Sequence, residues 1–425
     1  MSRNYYVLST GRLKREANTL YLETNEGRRP IPIEDVDSLY AFGELDLNTK
    51  LLNFLTRSRV PLHVFNYYGY YAGTYCPRDY LHSGFLVVQQ ADHYREREKR
   101  MTLARELVRG AAHSLSRTLA YYQRRREART DDDDPAEETD MLEDLSDEME
   151  EEEQDGFGDL EEASYPAEEA ETQDISAERE ADSAGLTEGE TSERAEDTPE
   201  PPDNSDGVDA LTMPETFVPA ESVQHALDTI SSLTERLDAA QTPDELRGLE
   251  GKMRLSYYSA WRYILREGEG LDFTRRVRRP PDNIVNALIS FGNGLLYAAC
   301  LTELYRTQLT PTISYLHEPG TRRFSLALDL SEIFKPLIVD RAIFTLLNTR
   351  QLQAKHFDKR LNYCYLGEAG RKIFIKAFEE KLQSTLYHRQ LKRHVSYQRL
   401  IRLECYRLIR HLTDAEPYRA FRAWW

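Results

Sequence analysis

The spacing of apolar and polar positions changes character several times along this chain, and each change marks a boundary. From residue 4 to about 80 the apolar runs are short: Tyr5-Tyr6-Val7-Leu8, Thr19-Leu20-Tyr21-Leu22 and Val60 to Phe65. Gly11, Asn25-Glu26-Gly27 and Tyr68-Gly69 punctuate them at hairpin-like intervals, which predicts strands. One short helix is predicted over Asn48 to Arg57, where Leu51, Leu52 and Leu55 share a face. From Ala91 to Arg129 the period becomes helical, with Met101, Leu103, Leu107, Ala111, Leu115 and Leu119 forming the stripe and Arg124-Arg125-Arg126 closing it. Residues 130 to about 215 carry no apolar period. Their Asp, Glu, Ser, Thr, Pro and Gly cannot bury enough surface to offset chain entropy, which predicts a disordered insertion in a loop.

Helical spacing resumes at Ala220 with Val223, Ala226, Ile230 and Leu233. The next helix starts legibly: Thr242-Pro243-Asp244-Glu245 reads as a capping box, with Thr242 as N-cap and Glu245 at the third position. Leu246, Leu249, Met253, Tyr257 and Ile264 continue its stripe. Further helices are predicted over Asn283 to Tyr305, Ser325 to Lys335, Leu337 to Leu347, Gly370 to Leu386 and Arg389 to Arg410. The aromatic end, Ala420 to Trp425, is expected to dock on the body or on a partner. The class is α+β, a small N-terminal β-rich domain (residues 1–85) ahead of a larger, mostly α-helical one. The helical part is expected to begin at 86–130, to be interrupted by the acidic insertion at 131–215, and to resume over 216–425.

Two places stand out against this pattern. Glu250 lies inside the apolar stripe of its helix, bracketed by Leu246, Leu249 and Met253. A carboxylate buried without a partner is costly, so Glu250 should meet a cation, either a metal or an arginine. The second place is Pro311 to Lys335, which holds His317 in a loop closed by Pro319 and Gly320, then Asp329 and Glu332 in an apolar run. On a helix, positions 329 and 332 share a face; on a strand they would point oppositely. A histidine beside acids suits a divalent metal. A satisfied core histidine and a solvated helix face account for the same residues, and both readings stay open on this stretch alone.

Charge then changes the picture. The net charge is −18, but residues 131–210 hold 35 acidic side chains and two arginines, which leaves +15 on the rest. A basic body of that size points to a polyanionic partner, most often nucleic acid. Arg275, Arg276, Arg278 and Arg279, with Pro280-Pro281 behind them, are placed before a helix start where guanidinium groups suit phosphates. The insertion either competes with DNA for the basic body or serves as a solubilising loop. Cys76, Cys300, Cys364 and Cys405 are far apart with no C-x-x-C pair, so a zinc site or disulfide framework is not expected and a cytoplasmic, reducing location is. No run approaching the ~18 apolar residues of a membrane span is expected, nor a signal peptide.

G-x-S-x-G, Walker A, G-x-G-x-x-G and H-E-x-x-H are absent, which lowers the case for hydrolase-elbow, nucleotide-driven, dinucleotide or zincin chemistry. Four ordered blocks remain: Pro243 to Gly251; Arg279-Pro280-Pro281-Asp282 with Asn286 to Gly292; Leu316 to Gly320; and Ser325 to Glu332 followed by Phe334-Lys335-Pro336. In these the chain resembles the CRISPR-associated integrase family, the first of the Cas proteins, which inserts new spacers into CRISPR arrays. The likeness covers nearly everything except the acidic insertion.

The resemblance implies a helical catalytic domain in which Glu250, His317 and Glu332 hold Mg²⁺ or Mn²⁺, with Asp329 as a supporting acid. Glu332 stands where many relatives have aspartate, and Lys335 where arginine is common. Gly292-Asn293 occurs where a tyrosine often follows the glycine. The implied reaction is attack of a DNA 3′-hydroxyl on a phosphodiester, a transesterification needing no ATP. The implied partners are double-stranded and branched DNA, a second copy of the chain as a homodimer, and a small ferredoxin-like Cas protein that bridges dimers. Two other functions compete: a non-catalytic DNA-organising protein whose acids make only ion pairs, and a general structure-selective nuclease.

Overall fold

A computed structural model describes residues 2–77, 81, 83–127, 215–266, 268, 271, 273–278, 280–320, 324–360 and 363–424. The acidic insertion, apart from its last residue, and Arg279 lie outside these, and so do the expectations attached to them.

The β-rich start forms two four-stranded sheets. The strands are β1 (Arg3–Val7), β2 (Gly11–Glu16), β3 (Thr19–Thr24), β4 (Gly27–Pro32), β5 (Val36–Ala41), β6 (Leu45–Asp46), β7 (Leu62–Phe65) and β8 (Tyr71–Tyr75), with α1 (Thr49–Arg57) between β6 and β7. One sheet runs β4-β3-β2-β6 and the other β1-β5-β7-β8. The first is mostly an antiparallel meander, as the turns at Asn25 to Gly27 suggest. In the second, β5 pairs in parallel with both β1 and β7, a non-local arrangement that hairpin spacing does not announce. Leu13, Leu20, Leu39, Leu51 and Leu55 fill the core between the sheets and α1. Asn48 caps α1, its side chain accepting from the Leu51 amide at 2.9 Å.

The helical part comprises α2 (Gly84–Arg95), α3 (Arg97–Glu127), α4 (Val223–Glu235), α5 (Pro243–Ser259), α6 (Ile284–Tyr305), α7 (Ser325–Lys335), α8 (Arg341–Asn348), α9 (Glu368–Gln383) and α10 (Tyr397–Leu412). Among the described residues six further strands are interleaved in two-stranded sheets. These are β9 (Glu215–Thr216) with β10 (Arg275–Arg276), β11 (Phe357–Arg360) with β12 (Tyr363–Leu366), and β13 (Thr385–His388), whose partner is β14 (Arg393–Ser396). Helix α7 packs against α3 and α6, and α3 also packs against α4 and α5, so the helices bearing Glu250 and Glu332 share one neighbour.

Several expectations are corrected. The predicted helix over 91–129 begins earlier and is two helices, broken where Glu96 turns extended (ψ 109°). The predicted helix over 389–410 starts only at Tyr397, because Arg393 to Ser396 pair with β13 across a turn in which Lys392 takes a positive φ of 49°. Leu386 likewise belongs to β13 and not to the preceding helix, and the β11–β12 hairpin was not foreseen. Between α7 and α8, Pro336–Asp340 form a π-helical turn; proline has no N–H to continue the α ladder. The capping box at α5 is shifted. Thr242 accepts from the Glu245 amide at 3.2 Å, but the Glu245 carboxylate accepts from the Gln241 amide at 2.8 Å instead of that of Thr242.

Helix α6 overturns the expectation that nothing here matches a membrane span, since it is long and apolar enough for one. It runs through the protein core instead, with Asn286 and Thr302 buried and hydrogen-bonded along it. Gly292 lets it approach closely: a Cβ there would lie 2.5 Å from Val339 and 2.9 Å from the Phe374 ring. The aromatic end docks on the body, Phe421 stacking on Phe334 of α7 at 5.6 Å between centroids. No disulfide joins any of the four cysteines.

His63 fastens the β-rich part to α6. It is fully buried, with Nδ1 2.8 Å from the Thr74 hydroxyl and Nε2 2.7 Å from that of Thr302. Burial, helped by Arg306, pushes its pKa from 6.5 down to about 3. The folded protein therefore keeps His63 neutral in a range where the unfolded chain takes up a proton. Stability is expected to fall as pH drops from 6.5 toward 3, by up to about 1.4 kcal/mol per pH unit from this residue. His63→Gln should show a shallower loss of stability than wild type in denaturant melts between about pH 7 and 5. Equal slopes would remove His63 as the cause.

Candidate functional site

The site is built from α5, α7 and the loop between α6 and α7. Asp329, on α7 and fully buried, organises the loop. Its Oδ2 accepts from the amides of Tyr315 (2.8 Å) and Leu316 (3.0 Å), and its Oδ1 from the amide of His317 (3.1 Å). The His317 Nδ1 lies 2.8 Å from the same Oδ1. Both Asp329 oxygens already accept from amides, so Nδ1 carries the proton in that bond, and in the neutral imidazole Nε2 bears the lone pair. The loop is fixed from outside as well. Arg100 donates to the Tyr315 carbonyl at 2.9 Å and to Glu318 at 2.7 Å, while the Tyr94 hydroxyl donates to Glu318 at 2.7 Å.

Glu332 follows Asp329 on α7, as the helical reading requires. Both are buried, so neither lies on a solvated helix face. Glu250, on α5, meets the cation its position called for. Arg254, one helical turn later, donates Nε–H to Glu250 Oε1 at 2.8 Å and bonds Glu332 Oε2 through Nη2. Lys335 bonds the other Glu332 oxygen. Two carboxylates from separate helices are thus joined through one guanidinium.

The electrostatics are those of a buried cluster. Burial opposes the charge on Arg254, yet Glu332 and Glu250 outweigh it and raise its pKa well above the usual range. Burial would also raise Glu332, but Arg254, Lys335 and His317 hold its carboxyl far below ordinary carboxylates. Lys335 is lowered, since burial exceeds the compensation from Glu332. Burial disfavours the charged imidazole of His317, while Asp329, then Glu332 and Glu250, tip it upward. His317 and Glu332 therefore act on each other, and Glu250 acts on His317 as well.

The donor set, two carboxylates and an imidazole nitrogen, is suited to a divalent ion of the Mg²⁺ or Mn²⁺ kind. That a cation already bridges the two carboxylates shows that the pocket favours positive charge. As the side chains stand, no three His, Cys, Asp or Glu groups among the described residues converge closely enough to hold a metal. Arg254 occupies the space between two of them.

The arginine block divides. Arg276 is buried and turned inward, donating to Asn286 Oδ1 at 3.0 Å and Ser290 Oγ at 3.1 Å, which commits it to structure. Arg275 is exposed and pairs with Asp282 at 2.9 Å; Arg278 is exposed. Sequence reasoning missed Arg254 by name, although its i+4 spacing from Glu250 is a recognisable ion-pair signal. It also missed Asp340, a buried carboxyl at the end of the π-helical turn.

Residues 5–163 and 212–380 match the family model described as CRISPR associated protein Cas1. The chain belongs to the Cas1 family. It is 38% identical to CRISPR-associated endonuclease Cas1 2 of Moorella thermoacetica over 423 residues, covering all of both chains. A solved structure of a CAS1 protein from Thermotoga maritima superposes with a TM-score of 0.68 at 32% identity, covering 98% of each chain. A casposase bound to its integration product shares the fold at the same TM-score and 16% identity, covering 99% of this chain and 93% of that one. The family confirms the expectation drawn from the four sequence blocks, and with it the arrangement of a β-rich start before a helical domain.

Replacing Asp329 with Ala in this Cas1 protein would leave three loop amides without an acceptor. A stability loss of about 3 kcal/mol or more is expected in equilibrium denaturation, since each orphaned buried donor costs roughly 1–3 kcal/mol. A loss under 1 kcal/mol would show that other groups hold the loop.

Proposed function

We propose that this Cas1 protein is a divalent-metal-dependent DNA integrase that joins the 3′-hydroxyl of new spacer DNA to a phosphodiester of a CRISPR array. The observation that carries the reading is the meeting of Glu250 and Glu332 on one cation, beside an imidazole fixed by Asp329. Glu250, Glu332 and His317 Nε2 would hold Mg²⁺ or Mn²⁺. When bound, the ion polarises a phosphoryl oxygen and eases deprotonation of the attacking hydroxyl.

This chain's own residues do the rest. Asp329 keeps the proton on His317 Nδ1, so that the lone pair stays on Nε2, and holds the loop at a fixed distance from α7. Lys335 offsets the charge of Glu332 and stands ready beside an incoming phosphate. Arg275 and Arg278 are the exposed members of the block suited to backbone phosphates, whereas Arg276 supports them from within. Because one phosphodiester is exchanged for another, no nucleotide is consumed.

DNA, double-stranded and branched, is the substrate class. A second copy of this chain and the small second Cas protein complete the assembly. The casposase of the same fold, bound to its integration product, supports strand transfer. The name endonuclease carried by the Moorella relative favours a second outcome at the same site, hydrolysis with water in place of the 3′-hydroxyl.

Purified protein with Mn²⁺ or Mg²⁺ should integrate or rejoin branched DNA. Glu250→Ala should lower that activity by roughly 10²-fold or more, the scale of losing electrostatic stabilisation at a reacting group. Its DNA affinity in gel shifts should stay close to wild type. Full activity in Glu250→Ala would sink the assignment, and release of free ends without any joined product would select the nuclease reading.

A further inference from the structure

Arg254 lies where the carboxylates of Glu250 and Glu332 are closest to sharing a cation, and it is buried with them. A divalent ion on those carboxylates would compete for the same oxygen lone pairs. It would also sit against a guanidinium with little water to screen the repulsion. Arg254 therefore has to leave for such an ion to enter. A buried guanidinium cannot leave one carboxylate without reaching another.

The protein contains another. Asp340 is 1% exposed, and its Oδ2 has no hydrogen-bond partner. It ends the π-helical turn that follows α7, so it is carried on the same continuous helical run as Glu332. After burial, Arg254 is the strongest influence on its ionisation, which places the two within electrostatic reach. The Tyr257 hydroxyl, one turn beyond Arg254 on α5, is buried and likewise has no hydrogen-bond partner. Tyr257 and Asp340 face each other and perturb each other's ionisation, the phenol acting as a weak donor that favours the ionised carboxyl, so Asp340 has a neutral neighbour but no full charge partner. Burial lifts the Asp340 carboxyl to about 7, the behaviour of an acid still lacking a full counter-ion. A buried acceptor left unsatisfied is uncommon and costs stability unless something fills it.

We propose that Arg254 is a positioning residue with two docks: it bridges Glu250 and Glu332 in the cation-free protein and transfers to Asp340 when a divalent ion takes those carboxylates. The inference rests on the metal reading given above. In the first position the guanidinium keeps two buried acids from repelling one another and holds α5 and α7 in register. In the second it satisfies Asp340 and keeps its own charge paired. Lys335 stays with Glu332 throughout, and Asp340, partly protonated near pH 7, gives up its remaining proton to solvent as Arg254 arrives, which offsets part of the charge the ion brings. The exchange also sets the affinity. An ion binds only the fraction of molecules from which Arg254 has withdrawn, so its apparent dissociation constant is raised by the inverse of that fraction.

The test measures Mn²⁺ binding to the full-length chain by the electron paramagnetic resonance signal of the free ion. Glu250→Ala serves as the blank, because the 35 acidic side chains between 131 and 210 also attract Mn²⁺. Arg254→Gln should bind the Glu250-dependent ion at least about tenfold more tightly than wild type, as expected if Arg254 occupies the carboxylates nine-tenths of the time. Arg254→Lys, which keeps the charge, should fall between the two. Asp340→Asn should weaken Mn²⁺ binding in the wild-type background and have no effect beside Arg254→Gln, a coupling that mere core damage would not produce. Equal affinities for wild type and Arg254→Gln would overturn the exchange while leaving the metal reading intact. Absence of any Glu250-dependent binding in wild type and Arg254→Gln alike would remove the metal reading, and the exchange with it. If Arg254→Gln does not fold, Asp340→Asn decides alone, and an unchanged dissociation constant counts against the proposal.

Discussion

A carboxylate sealed from water must find all its partners within the protein, and Asp329 finds four hydrogen bonds from three consecutive residues. Those bonds, from the amides of Tyr315, Leu316 and His317 and from the His317 Nδ1, turn an irregular loop into a rigid one. The loop has no ladder of its own to satisfy its amides, so it depends on this one side chain of α7. The histidine half of the site follows from that. The imidazole is set in one tautomer, its distance from α7 is fixed, and Glu332 is held one turn further along the same helix.

The other half of the site depends on charge balance. Glu250 and Glu332 come from helices that share α3 as a neighbour, and two buried acids approaching each other require a cation. Arg254 supplies it, with Lys335 on the far side of Glu332. The cluster is thus charge-balanced by the protein's own side chains. Replacing such a cluster by apolar residues would cost a protein little stability.

Much of this was legible in the sequence because the signals are local. Glu250 within an apolar stripe demanded a cation, and the apolar spacing of Ser325 to Lys335 predicted the helix on which Asp329 and Glu332 share a face; both follow from helical period. The sequence left open whether the cation was a metal or an arginine, since both satisfy a buried acid equally. Non-local or weakly periodic features were harder to read. The parallel pairing of β5 with β1 and β7 joins segments far apart in the chain, and the hairpins of β11–β12 and β13–β14 have strands of four residues, too short to establish a period. The break at Glu96 and the π-helical turn at Pro336–Asp340 interrupt helices without changing their apolar spacing. The inward course of Arg276 could not be told from its neighbours, because the residue types around it are the same.

The most direct measurement of the site is anomalous scattering at the manganese edge from crystals of the full chain soaked in Mn²⁺. A single strong peak is expected, bounded by the carboxylates of Glu250 and Glu332 and by His317 Nε2, with the Arg254 guanidinium no longer between the two acids. Well-loaded crystals that show no ion near His317, and Arg254 still bridging both carboxylates, would contradict it.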